Sequence, residues 1–120
     1  MSKSLEPKEI AEIAAKALDG KKAGDIKAVY VSKLTIVADY FIIASASSGT
    51  QAKALADEVE LKLSERGLKP PGVEGYSKSD WLVLDYGSVV VHIFYGESRE
   101  FYSLEKLWAD GESVDLLAQN

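Results

Sequence analysis

The chain has 120 residues, a length that fits one compact domain with its own core. Apolar residues make up 47% and charged residues 28%, which excludes a disordered chain, and the absence of cysteine excludes disulfides, cysteine-based zinc sites and a thiol nucleophile. The net charge of −5 gives no general attraction to nucleic acid and favours a basic partner instead.

The sequence shows no targeting or membrane-spanning segment. The N-terminal stretch MSKSLEPKEIAEI is too charged for a signal peptide, and no run approaches the roughly 18 apolar residues that a membrane helix needs. We therefore expect a protein of the reducing cytosol that does not enter a membrane.

The first half of the chain alternates helix and strand patterns. Pro7 and the apolar face of Ile10, Ile13, Ala14 and Ala17 predict a helix over 7–19. Alternation predicts a strand over 26–32, and the continuous apolar run YFIIASA predicts a central strand over 40–46, covered on both faces.

A second helix follows the central strand. Ser48 and Gln51 have the spacing of a capping box, and Gly67 is a candidate left-handed cap at the end. Its apolar stripe consists of Ala52, Leu55, Ala56, Val59 and Leu63.

The second half contains a hairpin and a final helix. KPPGVEG at 69–75 is predicted as a loop, 81–94 as a hairpin that turns at Gly87, 98–109 as a helix, and 111–120 as a tail. The order α-β-β-α-β-β-α predicts an α/β (α+β) fold, a single domain with its core at about 7–110 and a mixed four- to five-stranded sheet flanked by helices.

Side-chain alternation divides the hairpin into two faces, whether its loop is Tyr86-Gly87 or Gly87-Ser88. The first face is nearly all aliphatic and is predicted to be core: Leu82, Leu84, Tyr86, Val89, Val91, Ile93 and Tyr95. The second face mixes aromatic and polar groups, which is typical of an interface centre: Trp81, Val83, Asp85, Val90, His92 and Phe94.

Three residues of the second face also have purely structural interpretations. His92, the only histidine, fits a buried and hydrogen-bonded side chain, Trp81 fits a core position, and Asp85 fits the first position of a turn. The grouping of four unusual residues on one face favours an interface that is only partly covered.

The sequence argues against catalysis. It has no G-x-S-x-G, and SASSGTQ after a strand lacks the glycine and lysine pattern of a phosphate-binding loop. Asp80 and Asp85 are five apart on a strand, so they fall on opposite faces and cannot share a metal. No catalytic, metal or cofactor site is predicted. The alternative is a residual nucleotide-binding enzyme that uses the turn at 47–51.

Three blocks of the sequence resemble the ribosomal silencing factor (Iojap-related) family. They are ADYFIIASASSGTQ at 38–51, EGYSKSDWLVLDYGSVVVHIF at 74–94 and REFYSLEKLW at 99–108, and the resemblance runs from about residue 7 to 110. One departure is visible, because Ser88 stands where the family's D-Y-G-D turn has a second acid.

The resemblance implies both a fold and a function. The fold is a nucleotidyltransferase-like domain without the catalytic carboxylates. The function is to bind ribosomal protein fourteen of the large ribosomal subunit, block joining of the small subunit and so repress translation when nutrients run out. The resemblance also implies a link to large-subunit assembly and a homodimer when the protein is free.

We expect seven residues near the contact surface. Trp81 and Phe94 are the candidate apolar anchors, Asp85 would meet a partner Lys or Arg, and His92 would hydrogen-bond across the interface or brace Asp85. Tyr86, Arg99 and Tyr102 complete the set, although a structural role fits these three at least as well. Arg99 and Tyr102, one helical turn apart, would either border the surface or tie the last helix to the sheet.

Overall fold

The computed structural model describes residues 6–32, 38–68, 73–75, 81–95 and 112–114. Within these residues the chain forms two helices and six strands in the order α1-β1-β2-α2-β3-β4-β5-β6. The helices are α1, Pro7–Gly20, and α2, Gly49–Ser64. The strands are β1, Gly24–Tyr30; β2, Tyr40–Ala46; β3, Val73–Gly75; β4, Trp81–Asp85; β5, Val89–Tyr95; and β6, Glu112–Val114.

The strands form one mixed sheet in the order β3-β4-β5-β2-β1-β6. Only the central pair β2–β5 is parallel, with Tyr40 opposite Val89 and Ala46 opposite Tyr95, and the neighbouring pairs are antiparallel. The predicted α/β class and mixed sheet are confirmed. The sheet exceeds the predicted four to five strands because β3 and β6, of three residues each, extend its two edges.

Both helices begin where the sequence predicts and for the predicted reasons. Pro7 opens α1, where its missing N–H leaves no helix hydrogen bond unmade, and the backbone N–H of Glu6 donates to Oε1 of Glu9 at 3.0 Å. Ser48 caps α2 by accepting a hydrogen bond from the backbone N–H of Gln51 at 3.1 Å. Gly67 follows α2 at φ +88°, the left-handed conformation predicted for it.

The helices pack on one face of the sheet and bury the larger core. The buried residues of α2 are Ala52, Leu55, Ala56, Val59 and Leu63, which confirms the predicted apolar stripe. They meet Ile42 and Ala44 of β2 and the alternate residues of β5 in one cluster. No helix in the described part of the chain is long and apolar enough to cross a bilayer.

A smaller apolar cluster occupies the opposite face. It joins Val29 and Val31 to Phe41 of β2 and Val90 of β5, with Ala38 and the half-buried Val83 beside them. Strand β2 is therefore covered on both faces, as its continuous apolar run predicts. The predicted helix over 98–109 lies outside the described residues.

Three sequence predictions need correction. Val73–Gly75, predicted as loop, forms the edge strand β3 by pairing with β4, and Glu112–Val114, predicted as part of a tail, pairs with β1. Strand β1 begins and ends two residues before its predicted bounds of 26–32. The strand begins within the polar stretch KKAGD at 21–25, where a register irregularity between Gly24 and Lys27 and the φ of +45° at Asp25 accommodate its start.

Candidate functional site

The hairpin of β4 and β5 carries five of the seven predicted contact residues. Its loop is Gly87-Ser88, because the backbone N–H of Tyr86 donates to the carbonyl of Val89 at 2.9 Å. Gly87 has φ +86°, the left-handed conformation that the sequence predicts at this turn. Trp81 is paired with Phe94, Val83 with His92 and Asp85 with Val90, so the predicted division into two faces is confirmed.

The turn is held in place from both sides. Oδ1 of Asp85 accepts a hydrogen bond from the backbone N–H of Gly87 at 2.8 Å. The carbonyl oxygen of Ser88 accepts from the backbone N–H groups of Asp39 at 2.7 Å and Tyr40 at 3.1 Å. The hairpin turn is thereby fastened to the start of β2, and Asp85 is presented from a rigid backbone. Asp85 therefore supports the turn, but the first turn position predicted for it belongs to Tyr86, because Asp85 still pairs with Val90.

The side chain of His92 is buried on one face of the sheet and is not exposed to solvent. Its side chain is 6% exposed, and its ring centroid lies 4.9 Å from that of Phe41 and 6.5 Å from that of Phe94. Burial among these rings lowers the pKa of His92 to about 4, and the nearby carboxylate of Asp85 opposes this shift. The imidazole is therefore neutral at physiological pH.

Phe94 is buried as well, at 1% exposure, so the structure does not offer its ring to a partner. Val90 is likewise buried, whereas Asp85 is exposed. We expected the whole second face to be only partly covered. On β5 this face is buried, and the ring of His92 lies beside those of Phe41 and Phe94.

Tyr86 lies on the opposite face, which packs against the helices. Its hydroxyl oxygen is buried and makes no hydrogen bond to any residue that the structure describes. Burial, and then the negative charge of Glu60 on α2, raise the pKa of Tyr86 to about 12. The side chain therefore packs the hairpin onto the helical layer, which fits the structural role considered for it.

The remaining predicted contact residues cannot be placed in the same way. For Trp81 the structure describes the backbone in β4 but not the surroundings of the side chain, and Arg99 and Tyr102 lie outside the described residues. Sequence reasoning missed the role of Ser88, because a backbone carbonyl that accepts two hydrogen bonds has no signature in the side-chain pattern.

The turn that could bind a phosphate uses its polar groups internally. The Gln51 backbone N–H donates to Ser48 Oγ at 3.1 Å, and Oε1 of Gln51 accepts from the backbone N–H of Ser47 at 2.5 Å. The Tyr95 ring approaches Gly49, where an added Cβ would lie 3.5 Å from it. Among the described residues, no three His, Asp or Glu side chains come together as metal ligands.

Comparison with known proteins identifies the family. The model of the family described as "Ribosomal silencing factor during starvation" matches residues 4–120. The ribosomal silencing factor RsfS of Bacillus subtilis is 40% identical over 112 residues, which are 93% of this chain and 95% of that protein. The mouse protein named mitochondrial assembly of ribosomal large subunit protein 1 is 35% identical over 102 residues, 82% of this chain and 45% of its own length.

A solved structure agrees with these matches. The crystal structure of a protein from Chromobacterium violaceum superposes with a TM-score of 0.83 at 36% sequence identity and covers 96% of this chain and 95% of that one. The matched length, the identity and the shared fold lead to one conclusion: this chain belongs to the ribosomal silencing factor family.

Proposed function

We propose that this protein is a non-catalytic repressor of translation that acts in the cytoplasm. It binds the large ribosomal subunit through ribosomal protein fourteen of that subunit, blocks joining of the small subunit and slows translation when nutrients are limiting. The family match over residues 4–120 carries the proposal, because membership supports a silencing role at the ribosome. The name of the mouse relative supports the large subunit as the partner.

Steric blocking requires no chemistry from the bound protein. A typical specific interface buries about 800 Å² on each partner, an area that a folded domain of 120 residues can supply. The net charge of −5 favours association with a basic ribosomal protein, because opposite charge speeds the encounter and fixes orientation. A domain that occupies part of a subunit's docking surface is enough to exclude the other subunit.

The turn end of the β4–β5 hairpin is the proposed centre of the contact surface. Asp85 is exposed and rigidly held there, so its carboxylate is available to a partner Lys or Arg. His92 and Phe94 are buried on β5. Their proposed contribution is to support β4, where Val83 and Trp81 are their pairing partners. Tyr86, Arg99 and Tyr102 remain predicted members of the surface or its border.

Nucleotide chemistry is not part of the proposal. The backbone N–H groups of Ser47 and Gln51, which a phosphate would use, already donate within the turn. We expect ATP with Mg²⁺ at millimolar concentration to leave the melting temperature unchanged, because only a ligand that binds the folded state raises it. A dose-dependent rise would favour a nucleotide-binding enzyme.

Sedimentation with separated ribosomal subunits tests the proposal. We expect the purified protein to migrate with the large subunit and not with the small one, and we expect fewer joined ribosomes when the complementary subunit is added. Binding to neither subunit at low salt would overturn the proposal. Binding without any effect on joining would overturn the blocking mechanism alone. Self-association of the free protein remains a prediction that sedimentation velocity measures.

A further inference from the structure

A groove on the helical layer has no part in the proposed ribosome contact. It lies along the seam between α1 and α2 and has a volume of about 480 Å³, which is within the range of small-molecule sites. The helices pack on the sheet face that holds Leu84, Val91 and Ile93, whereas Asp85 and His92 belong to the other face. A ligand in this groove would therefore be separated from the hairpin surface by the sheet.

The floor of the groove is apolar and has room. Ile13 and Ala17 lie one helical turn apart on α1 and line it together with Gly20. A Cβ added at Gly20 would meet no heavy atom within 4 Å, so the missing side chain leaves open space at this end. An apolar body that enters the groove would exchange water for Ile13 and Ala17 without displacing a side chain at Gly20.

Three cations line the groove in a protein that is acidic overall. They are Lys16 on α1, Lys62 on α2 and Arg66 just beyond α2. Lys62 is 3.9 Å from Glu58 and Arg66 is 3.8 Å from Glu9, both near the limit of an ion pair. Lys16 makes no ion pair with the residues that the structure describes.

Two acids, Glu58 and Glu65, share the lining, so the local excess of positive charge is small. The choice of ligand therefore depends on how strongly each cation is held by its ion-pair partner. Both pairs are long, and the side chains of Lys62, Arg66 and Glu9 are about half exposed to solvent, so the attraction within each pair is weak. The cations can therefore turn to a ligand at little cost. An anionic head with an apolar body satisfies both the cations and the floor.

We propose that the α1–α2 groove is a binding site for a small amphipathic anion, with the anionic head between Lys16 and Lys62 and the apolar body above Ala17 and Gly20. The proposal is independent of the ribosome-binding function, because it concerns the other side of the sheet. We expect modest affinity for such a ligand. At the ordinary binding free energy per atom, a ligand of about 18 non-hydrogen atoms has a dissociation constant of about 100 μM.

Fluorescence titration of the full chain with anilinonaphthalenesulfonate tests the site, because this probe joins an apolar aromatic body to one sulfonate. We expect saturable binding at low salt. We expect about tenfold weaker binding in the double variant Lys16→Glu/Lys62→Glu, in which two attractions become repulsions. The matched control is Lys8→Glu/Lys53→Glu, which changes the net charge equally on the same two helices outside the groove and should bind as the wild type does.

Two further measurements separate the contribution of the apolar floor from that of the cations. Gly20→Leu fills the open end of the groove and should weaken probe binding about fivefold, with unchanged circular dichroism and unchanged sedimentation with ribosomal subunits. The uncharged analogue phenylnaphthylamine should bind more weakly than the sulfonate. Equal binding by wild type, Gly20→Leu and the Lys16→Glu/Lys62→Glu variant would overturn the site. Equal binding of the two probes would overturn its preference for anions.

Discussion

His92 is a titratable residue whose folded environment favours the neutral form, and this makes stability depend on pH. Its pKa is about 4 in the folded protein against an ordinary 6.5. Between these values the unfolded chain binds a proton that the folded chain resists. The contribution of His92 to the free energy of unfolding is therefore fully present above pH 6.5, and about 3 kcal/mol of it is lost as the pH drops through this window to 4. Urea unfolding at a series of pH values measures the slope.

The control for this prediction is His92→Phe, which keeps an aromatic ring beside Phe41 and Phe94 and removes the titrating group. We expect the variant to lose the part of the slope between pH 4 and 6.5 that belongs to His92. An identical pH profile in wild type and variant would show that other groups cause the acid sensitivity.

Asp85 has a structural role and a proposed binding role, and two substitutions separate them. Asp85→Ala removes the acceptor for the Gly87 backbone N–H and should lower the free energy of unfolding by about 1 kcal/mol. Asp85→Asn keeps an oxygen at the same place and loses only the charge, so we expect it to fold nearly as well and still bind the large subunit more weakly. If Asp85→Asn binds the large subunit as tightly as the wild type does, the partner does not recognise the negative charge of Asp85.

At the scale of the element, the hairpin turn depends on one glycine. Gly87 has φ +86°, which costs a residue with a Cβ about 1 kcal/mol, so Gly87→Ala should lower the free energy of unfolding by this amount. Gly20→Ala is the matched control, because Gly20 ends α1 without a positive φ and has open space around it. We expect that control to be neutral or slightly stabilising in urea unfolding. Equal losses in both variants would contradict the turn argument.

The local elements could be predicted from sequence because their signals are local. The bounds of β2 match the run YFIIASA, and α2 has the predicted cap at Ser48 and the predicted buried stripe. Strands β3 and β6 have three residues each and form by pairing with β4 and β1. Their own composition therefore does not predict them. The parallel pairing of β2 with β5 is equally invisible to a local pattern.

The candidate site was predictable only in part, for a related reason. Alternation along β4 and β5 correctly assigns Asp85 and His92 to one face. The burial of His92 and Phe94 depends on what lies above the strand, including Phe41 from a distant part of the sequence. Alternation therefore shows which residues share a face, but not whether that face is open to solvent.

At the scale of the whole molecule, Trp81 tests whether the hairpin surface binds the ribosome. We predict that Trp81→Ala weakens binding to the ribosomal protein by about 2 kcal/mol, or roughly 30-fold in dissociation constant, while the domain stays folded by circular dichroism. The control is Leu61→Ala, which truncates a 51% exposed leucine on the helical layer and should bind normally. Unfolding of Trp81→Ala would mean that this side chain belongs to the core.

The parallel pair at the centre of the sheet also has a kinetic consequence. Tyr40 lies opposite Val89, with α2, β3 and β4 between them in the chain, so the central pairing closes a long loop. Contacts between residues far apart in sequence slow folding, because the entropy of loop closure is lost before the contacts are gained. During synthesis, β2 emerges before β5, so the backbone N–H and C=O groups on the edge that later pairs with β5 wait without their partners. Substitutions in Val89–Tyr95 should therefore lower the yield of folded protein in the cell by more than their effect on equilibrium stability alone.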